Sequence, residues 1–420
     1  MGFSLSIERL RHWSLIGGLS ILDQAIYSGA NFTTTILLGR WQTPQEYGAF
    51  SVAFATFLFL TGIYNALILE PVSVLGPSRF ASDKRAYFAA QLPLHFAITF
   101  PLSILLGLVG LFLRNALVKQ AFLWTAVALP FMLLPWLLRR MYYSNHQPFG
   151  ALMTSIAYAI ALLLGLVIVR HFDIGGFTWV FVNMGIAGLV GGSALLWKFL
   201  ENKRNFSALS LSDIFHAHWQ LGKWIVFAAI FMLAAEQAPI FFVATLNNLE
   251  NAGGFRAIQN FILPIIQVEA AFSLVGLPVL ARSYATKDGS SFRRTRNLLL
   301  LGMTSSASLY WICMLVVGDY AVQLAYVGQY KNFADLIPLY AVVPVIVGPY
   351  TVFFMSIRAM QRQQIYLING VTAFLVGIPA SYLFTEFFGI RGSIFALIFT
   401  YVILLIINIY VYRLWVKPAL

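Results

Sequence analysis

Twelve runs of about twenty predominantly apolar residues follow one another along this chain, and they leave it little choice of surroundings. They lie at roughly 15–38, 48–69, 91–113, 120–138, 149–169, 175–197, 222–246, 253–280, 298–318, 333–356, 365–386 and 392–413. A run of that length crosses a hydrocarbon core once as a helix. Helix is the required state, because each run must satisfy its own backbone hydrogen bonds where no water reaches. Barrel strands would be about ten residues long with strict alternation, which these runs lack. The expected fold class is an all-α polytopic membrane protein of about twelve transmembrane helices.

Composition points the same way. Of 420 residues, 60% are hydrophobic and 10% charged, whereas a soluble domain carries about a quarter charged residues. Net charge is +12, but the basic residues sit between apolar runs. Orientation and anionic headgroups account for them better than nucleic acid does. The single cysteine, Cys313, rules out an internal disulfide and reads as a buried, inert thiol. Arg9, Arg11 and the small residues Ser28-Gly29-Ala30 mimic a signal peptide. Asp23 and Gln24 interrupt that run, however, and it continues to Leu38, so an uncleaved first span is expected.

Lysine and arginine are unevenly distributed. Twenty of the 27 fall on the side that holds the N-terminus. The expectation is a multi-pass protein of the cytoplasmic (inner) membrane with both termini in the cytoplasm. The longest connection, 198–221, divides the chain into an N-terminal six-helix lobe (1–197) and a C-terminal six-helix lobe (222–420), with itself as a cytoplasmic linker. Weak similarities recur in order in both halves. Asp23-Gln24-Ala25 resembles Glu236-Gln237-Ala238, Tyr47-Gly48-Ala49-Phe50 resembles Gly253-Gly254-Phe255, and Pro71-Val72 resembles Pro278-Val279. Six spans per half preserve orientation, so the repeat would be parallel, with a substrate site between the halves.

Several segments carry a family resemblance. DQAIYSGANFTTTILLGRWQTPQEYGAF at 23–50 resembles the first two helices of polysaccharide-export flippases of the multidrug/oligosaccharidyl-lipid/polysaccharide (MOP) transporter superfamily. The resemblance continues in RRMYYSNHQPFGA (139–151), NAGGFRAIQNFILPIIQ (251–267) and SIRAMQRQQ (356–364). It implies two six-helix bundles and alternating access, with undecaprenyl-pyrophosphate-linked sugars as cargo. Related multidrug exporters expel organic cations. No motif carries over residue by residue, so site candidates come from intramembrane polarity.

A charge at mid-bilayer costs about 2.5–3.5 kcal/mol on insertion scales. Asp23, Glu236 and Glu269 therefore need a partner, water or a proton. Each is a candidate for the substrate or ion pathway, or else an internal hydrogen-bonding group that orients helices. Gln24, Tyr27 and Asn31 follow Asp23 at helical spacing. Gln237, Gln259, Asn260 and Gln267 enrich the seventh and eighth spans. Arg256 is expected to meet Glu250, Glu269 or a phosphate, or to snorkel to headgroups. Arg79, Arg139, Arg140, Arg282 and Arg358 are cytoplasmic-mouth candidates that set topology or receive an anionic headgroup. Pro239, Pro264, Pro278, Pro338, Pro344 and Pro349 mark candidate kinks. Gly188-x-x-x-Gly192 is a packing spacing.

Covalent chemistry has no foothold. There is no Gly-x-x-x-x-Gly-Lys loop, and His216-x-His218 alone does not make a metal site. The chain is not expected to be an enzyme or to hold a cofactor; H+ or Na+ is the expected coupling ion. The leading function is a flippase for a lipid-linked oligosaccharide. An ion-coupled multidrug exporter is the alternative, and a membrane-embedded sugar polymerase or ligase is disfavoured by short outward loops. Expected partners are membrane lipid, the lipid-linked glycan and other polysaccharide-assembly proteins, with the chain itself a monomer.

Overall fold

The computed structural model describes residues 7–172, 174, 176–202, 210–360, 362 and 364–415. Lys203, Arg204 and Lys417, three of the charges behind the orientation bias, lie outside the described residues, as does 203–209 of the expected linker.

Among the described residues the chain is helical, without strands. The helices are α1 (Ile7–Trp41), α2 (Pro44–Leu75), α3 (Lys84–Phe112), α4 (Ala116–Ser144), α5 (Pro148–His171), α6 (Trp179–Asn202) and α7 (Leu211–Asn247). They continue as α8 (Leu249–Asn260), α9 (Leu263–Ala285), α10 (Gly289–Tyr326), α11 (Leu336–Arg358) and α12 (Gln364–Trp415). Nine helices among the described residues are long and apolar enough to cross a membrane. Helix α12 counts once there although it holds the last two apolar runs, folded at Gly389 (φ 58°, ψ −141°). That left-handed backbone is open to glycine and costly for other residues. Helix α6 supplies a shorter apolar stretch, Trp179–Leu195, and α1 is diluted by Asp23, Gln24 and Asn31. The fold is an all-α polytopic membrane protein.

Proline explains the interruptions. The eighth run, expected as one helix, is broken between α8 and α9, because Pro264 has no N–H for the Asn260 carbonyl. Pro344 does the same to Tyr340, and α11 is interrupted at Ala341. Pro71 leaves the Leu67 carbonyl without its α-helical donor, and the turn around it widens to a π-helix, Asn65–Leu69. Pro239 and Pro278 lie inside continuous helix.

Contacts divide the chain into two compact units. One comprises the described residues of Met1–Thr35 and Thr56–Val226, the other Ile36–Ala55 and those of Phe227–Leu420. In the first, α3, α4 and α6 pack on one another and α5 packs on α6. Gly188 and Gly192 do bring α6 close to α4: a Cβ on Gly192 would lie 2.5 Å from Leu134 Cβ, and one on Gly188 would overlap the Phe131 carbonyl.

In the second unit, α9, α10, α11 and α12 pack in succession around Leu280, Phe292, Met303, Val352 and Ile357. The tip Ile36–Ala55 joins this unit by backbone contact. A Cβ on Gly253 would lie 2.6 Å from the Pro44 carbonyl oxygen, and one on Gly48 would overlap that of Leu249. Cys313 corrects the expectation of burial: it is exposed on α10. Leu309, Ile312 and Val316 are exposed beside it, so the thiol belongs to an outward apolar face.

Candidate functional site

Unit one builds a polar site on three helices. Asp23, Tyr27 and Asn31 share a face of α1. Trp136, Arg139 and Tyr143 occupy one face of α4, and Ser155 and Tyr158 one face of α5, all at spacings of three or four. Asp23 is fully buried. Its Oδ2 accepts from Arg139 Nη2 at 2.8 Å and from the Tyr143 hydroxyl; its Oδ1 accepts from Arg139 Nε at 3.1 Å and Ser155 Oγ at 2.5 Å. A carboxylate has about four lone-pair sites, so Asp23 is saturated from within its own unit.

The cation is held as firmly as the anion. The Arg139 guanidinium lies 4.4 Å from the Tyr27 ring centre and donates to Gln24 Oε1 at 3.0 Å. Its side chain is 11% exposed. Tyr27 stacks on Tyr158 at 4.7 Å and accepts a 2.5 Å bond from Trp136 Nε1. Tyr158 donates to Asn31 Oδ1 at 2.9 Å. Gln24 is exposed and also donates to Ser28. The network therefore offers an amide and aromatic rim around a neutralised ion pair. Sequence reading placed Asp23, Gln24, Asn31 and Arg139 on its candidate list, and the fold brings them together. Tyr143, Ser155 and Tyr158 were missed: the last two hydroxyls stand in an ordinary apolar run, and Tyr143 stands in the polar connection 139–148.

Unit two holds its carboxylates differently. Glu236 on α7 accepts from Tyr401 at 3.3 Å. Tyr401 packs on Tyr350 at 5.7 Å, and the Tyr350 hydroxyl accepts from Asn369, which exchanges hydrogen bonds with Asn408. Two amides inside apolar runs were the available signal for Asn369 and Asn408. Glu269 on α9 is 4% exposed, and among the described residues its Oε1 has no partner. Gln237 neighbours Glu236 on α7 and is partly exposed.

Arg256 takes neither the carboxylate partner nor the headgroup position expected of it. Among the described residues it pairs with neither Glu250 nor Glu269, and at 4% exposure it does not snorkel. It stacks 4.9 Å from the Phe54 ring centre and donates to Gln259 at 2.8 Å. A helix turn later, Asn260 donates to the hydroxyls of Tyr47 and Tyr326 at 2.9 and 3.0 Å.

The mouth arginines are dispersed. Arg79 lies on Phe80, and Arg140 reaches Ser73 and Asn65, both at 3.3 Å. Arg282 is exposed in the last turn of α9, and Arg358 stacks on Phe354 and Tyr366. His218 is buried between the Tyr87 hydroxyl (2.8 Å) and the Leu67 carbonyl (2.9 Å), while His216 is exposed.

No protein-family model matches the sequence, and no curated protein matches it. Solved structures do match. One is an inward-facing multidrug-resistance MATE-family transporter of the MOP superfamily: TM-score 0.77, 12% identity, 95% of this chain and 98% of that one. Another is the lipid II flippase MurJ: TM-score 0.74, 14% identity, 95% of this chain and 87% of that one. A third is a MOP-superfamily transporter from Pyrococcus furiosus, described as having a binding pocket of reversed polarity: TM-score 0.68, 12% identity, 96% of each chain. The chain shares the fold of these structures. At these identities it is the fold that is shared, and the cargo must be argued from side chains.

Proposed function

We propose that this chain is a carrier that moves a lipid-linked oligosaccharide, a polysaccharide precursor, across the cytoplasmic membrane by alternating access. The observation that carries the reading is the saturation of Asp23. A carrier for organic cations needs a carboxylate with a free lone pair, and Asp23 has none to give. What its surroundings do offer is the amides of Gln24 and Asn31 beside the partly exposed ring of Trp136. Amides pair with hydroxyls, and the flat faces of such rings suit the apolar faces of sugars. Likeness of fold to a lipid II flippase supports the same cargo class.

Deleting the gene in a polysaccharide-producing host should trap lipid-linked glycan on the cytoplasmic face and abolish surface polymer. Wild type should restore export, and Arg139→Gln should not. Unchanged surface polymer in a clean deletion would overturn the reading.

Glu269 favours a second reading, an exporter of organic cations coupled to H+ or Na+. It is buried with an unpartnered oxygen, the condition a cation or proton would relieve. Drug efflux lost in Glu269→Gln, with surface glycan intact, would select it.

A further inference from the structure

Unit two contains a cavity of about 460 Å³ where the end of α9 meets the connection from α11 to α12. Ala281 and Ala285 on α9 and Ala359 beyond α11 leave the space, and Tyr284 and Tyr366 wall it. Two lining residues are charged, Arg358 and Arg362, and none is acidic. Small-molecule sites run from about 300 to 1,000 Å³, so the volume suits a compact ligand rather than a single water.

The two guanidiniums are held by aromatic rings. Arg358 Cζ lies 5.4 Å from the Phe354 ring centre and 4.9 Å from that of Tyr366, two rings 81° apart, and Arg362 Cζ lies 5.3 Å from that of Trp415. Each guanidinium carries five N–H donors, more than contact with rings uses. Among the described residues neither arginine forms an ion pair; the pairs found there are Arg139–Asp23 and Arg391–Asp335. Both lie in the segment SIRAMQRQQ, which the Asp23 network does not use. Two cationic forks facing one cavity match the geometry of a phosphate, whose oxygens accept parallel bonds from each fork.

We infer that this cavity binds a phosphate or pyrophosphate group, carried either by a lipid headgroup or by a phosphorylated solute from the aqueous side. The site does not depend on the glycan reading, because its geometry is contained within one unit. Full-length protein in phosphatidylcholine nanodiscs, titrated calorimetrically with inorganic pyrophosphate, should show saturable binding. Arg362→Gln should weaken it roughly tenfold, the worth of one charge-assisted contact, and Arg358→Gln/Arg362→Gln further. Arg294→Gln, an exposed change outside the cavity, should leave it unaltered. Arg362 is itself exposed, so its variant tests the idea even if the double variant fails to fold. Where a lipid is the ligand, nanodiscs containing phosphatidylglycerol should displace pyrophosphate, and native mass spectrometry should find that lipid retained by wild type and lost from Arg362→Gln. Binding of both probes unchanged in Arg362→Gln, or of neither by wild type, would overturn the inference.

Discussion

Arg139 grips Asp23 through two nitrogens, Nη2 at 2.8 Å and Nε at 3.1 Å, across 116 residues of sequence. The pair joins α1 to α4 in a place where neither charge would be tolerated alone. Breaking a buried pair by removing one member strands the other and costs about 3–5 kcal/mol. Asp23→Ala and Arg139→Gln should each destabilise the protein by that order, read as a lowered thermal midpoint in detergent. The double variant should be less damaged than the sum of the singles. Additive losses in a double-mutant cycle would show that the two charges are not coupled.

Close approach of backbones gives a second, sharper expectation. Gly48 and Gly253 stand at matched places in the two halves of the sequence, and each faces main-chain atoms of the other's segment. A side chain there has no flexible neighbour to push aside. Gly48→Val should abolish stable expression, and Gly253→Ala should cost on the order of 1–3 kcal/mol as an overpacking change. Gly29→Ala is the matched control: nothing lies within 4 Å of a Cβ there, so it should be neutral or slightly stabilising by helix propensity. Equal thermal midpoints for Gly253→Ala and wild type would refute the contact.

Much of this architecture was written in hydropathy. Span number and helix class follow from run length, and the shared face of Gln24, Tyr27 and Asn31 follows from helical spacing. What could not be read was direction. In hydrocarbon the face that meets lipid and the face that meets protein are equally apolar. That is why Cys313 pointed outward against expectation, and why Arg139 could be named as basic but not as the partner of Asp23. Tyr401, Asn369 and Asn408 were hidden for the same reason, since their role depends on which helix each faces. Proline positions were visible, but only the fold distinguishes a break, as at Pro264, from a continuous helix, as at Pro239.

The Leu67 carbonyl, deprived of a donor by Pro71, takes one from His218 Nδ1, while His218 Nε2 accepts from Tyr87. The start of α7 is thereby tied to α2 and α3 within the first unit. His218→Leu should leave the carbonyl without its side-chain donor, at about 1–3 kcal/mol for a buried group, and the tyrosine hydroxyl with only its 3.4 Å bond to the Pro71 carbonyl. Hydrogen exchange should locate the damage at Leu211–Val226 and the Asn65–Leu69 turn. Unaltered protection at both places would show that the histidine is not the tie.

At the membrane edge, Asp288 caps α10. The Ser291 backbone N–H and the Ser290 hydroxyl donate to its carboxylate and hold its pKa below the usual aspartate value. A depressed folded pKa gives stability that is present above the unfolded pKa and fades as pH falls through the folded one. Asp288→Ala should therefore speed exchange in the first turn of α10 at pH 7, with the difference from wild type shrinking below about pH 4. A gap that persists or widens in acid would contradict the cap.

Glu269 allows the ion-coupling reading to be tested through stability. Its carboxyl lies in a tight place, 3.2 Å from where a Cβ on Gly348 would sit, and among the described residues its Oε1 has no donor. A buried polar group left without a partner costs about 1–3 kcal/mol, and an apolar replacement of similar size removes that cost. Glu269→Met should therefore raise the thermal midpoint, unlike most core changes. A residue kept for stability would lose nothing by the exchange. One kept for ion coupling would lose transport as the protein gained stability, the trade expected where a site is held in an unfavourable state for use. Transport into vesicles and the unfolding midpoint should thus move in opposite directions. A midpoint that falls would mean the carboxyl has an unrecognised structural partner, and transport that survives a raised midpoint would remove Glu269 from the ion pathway.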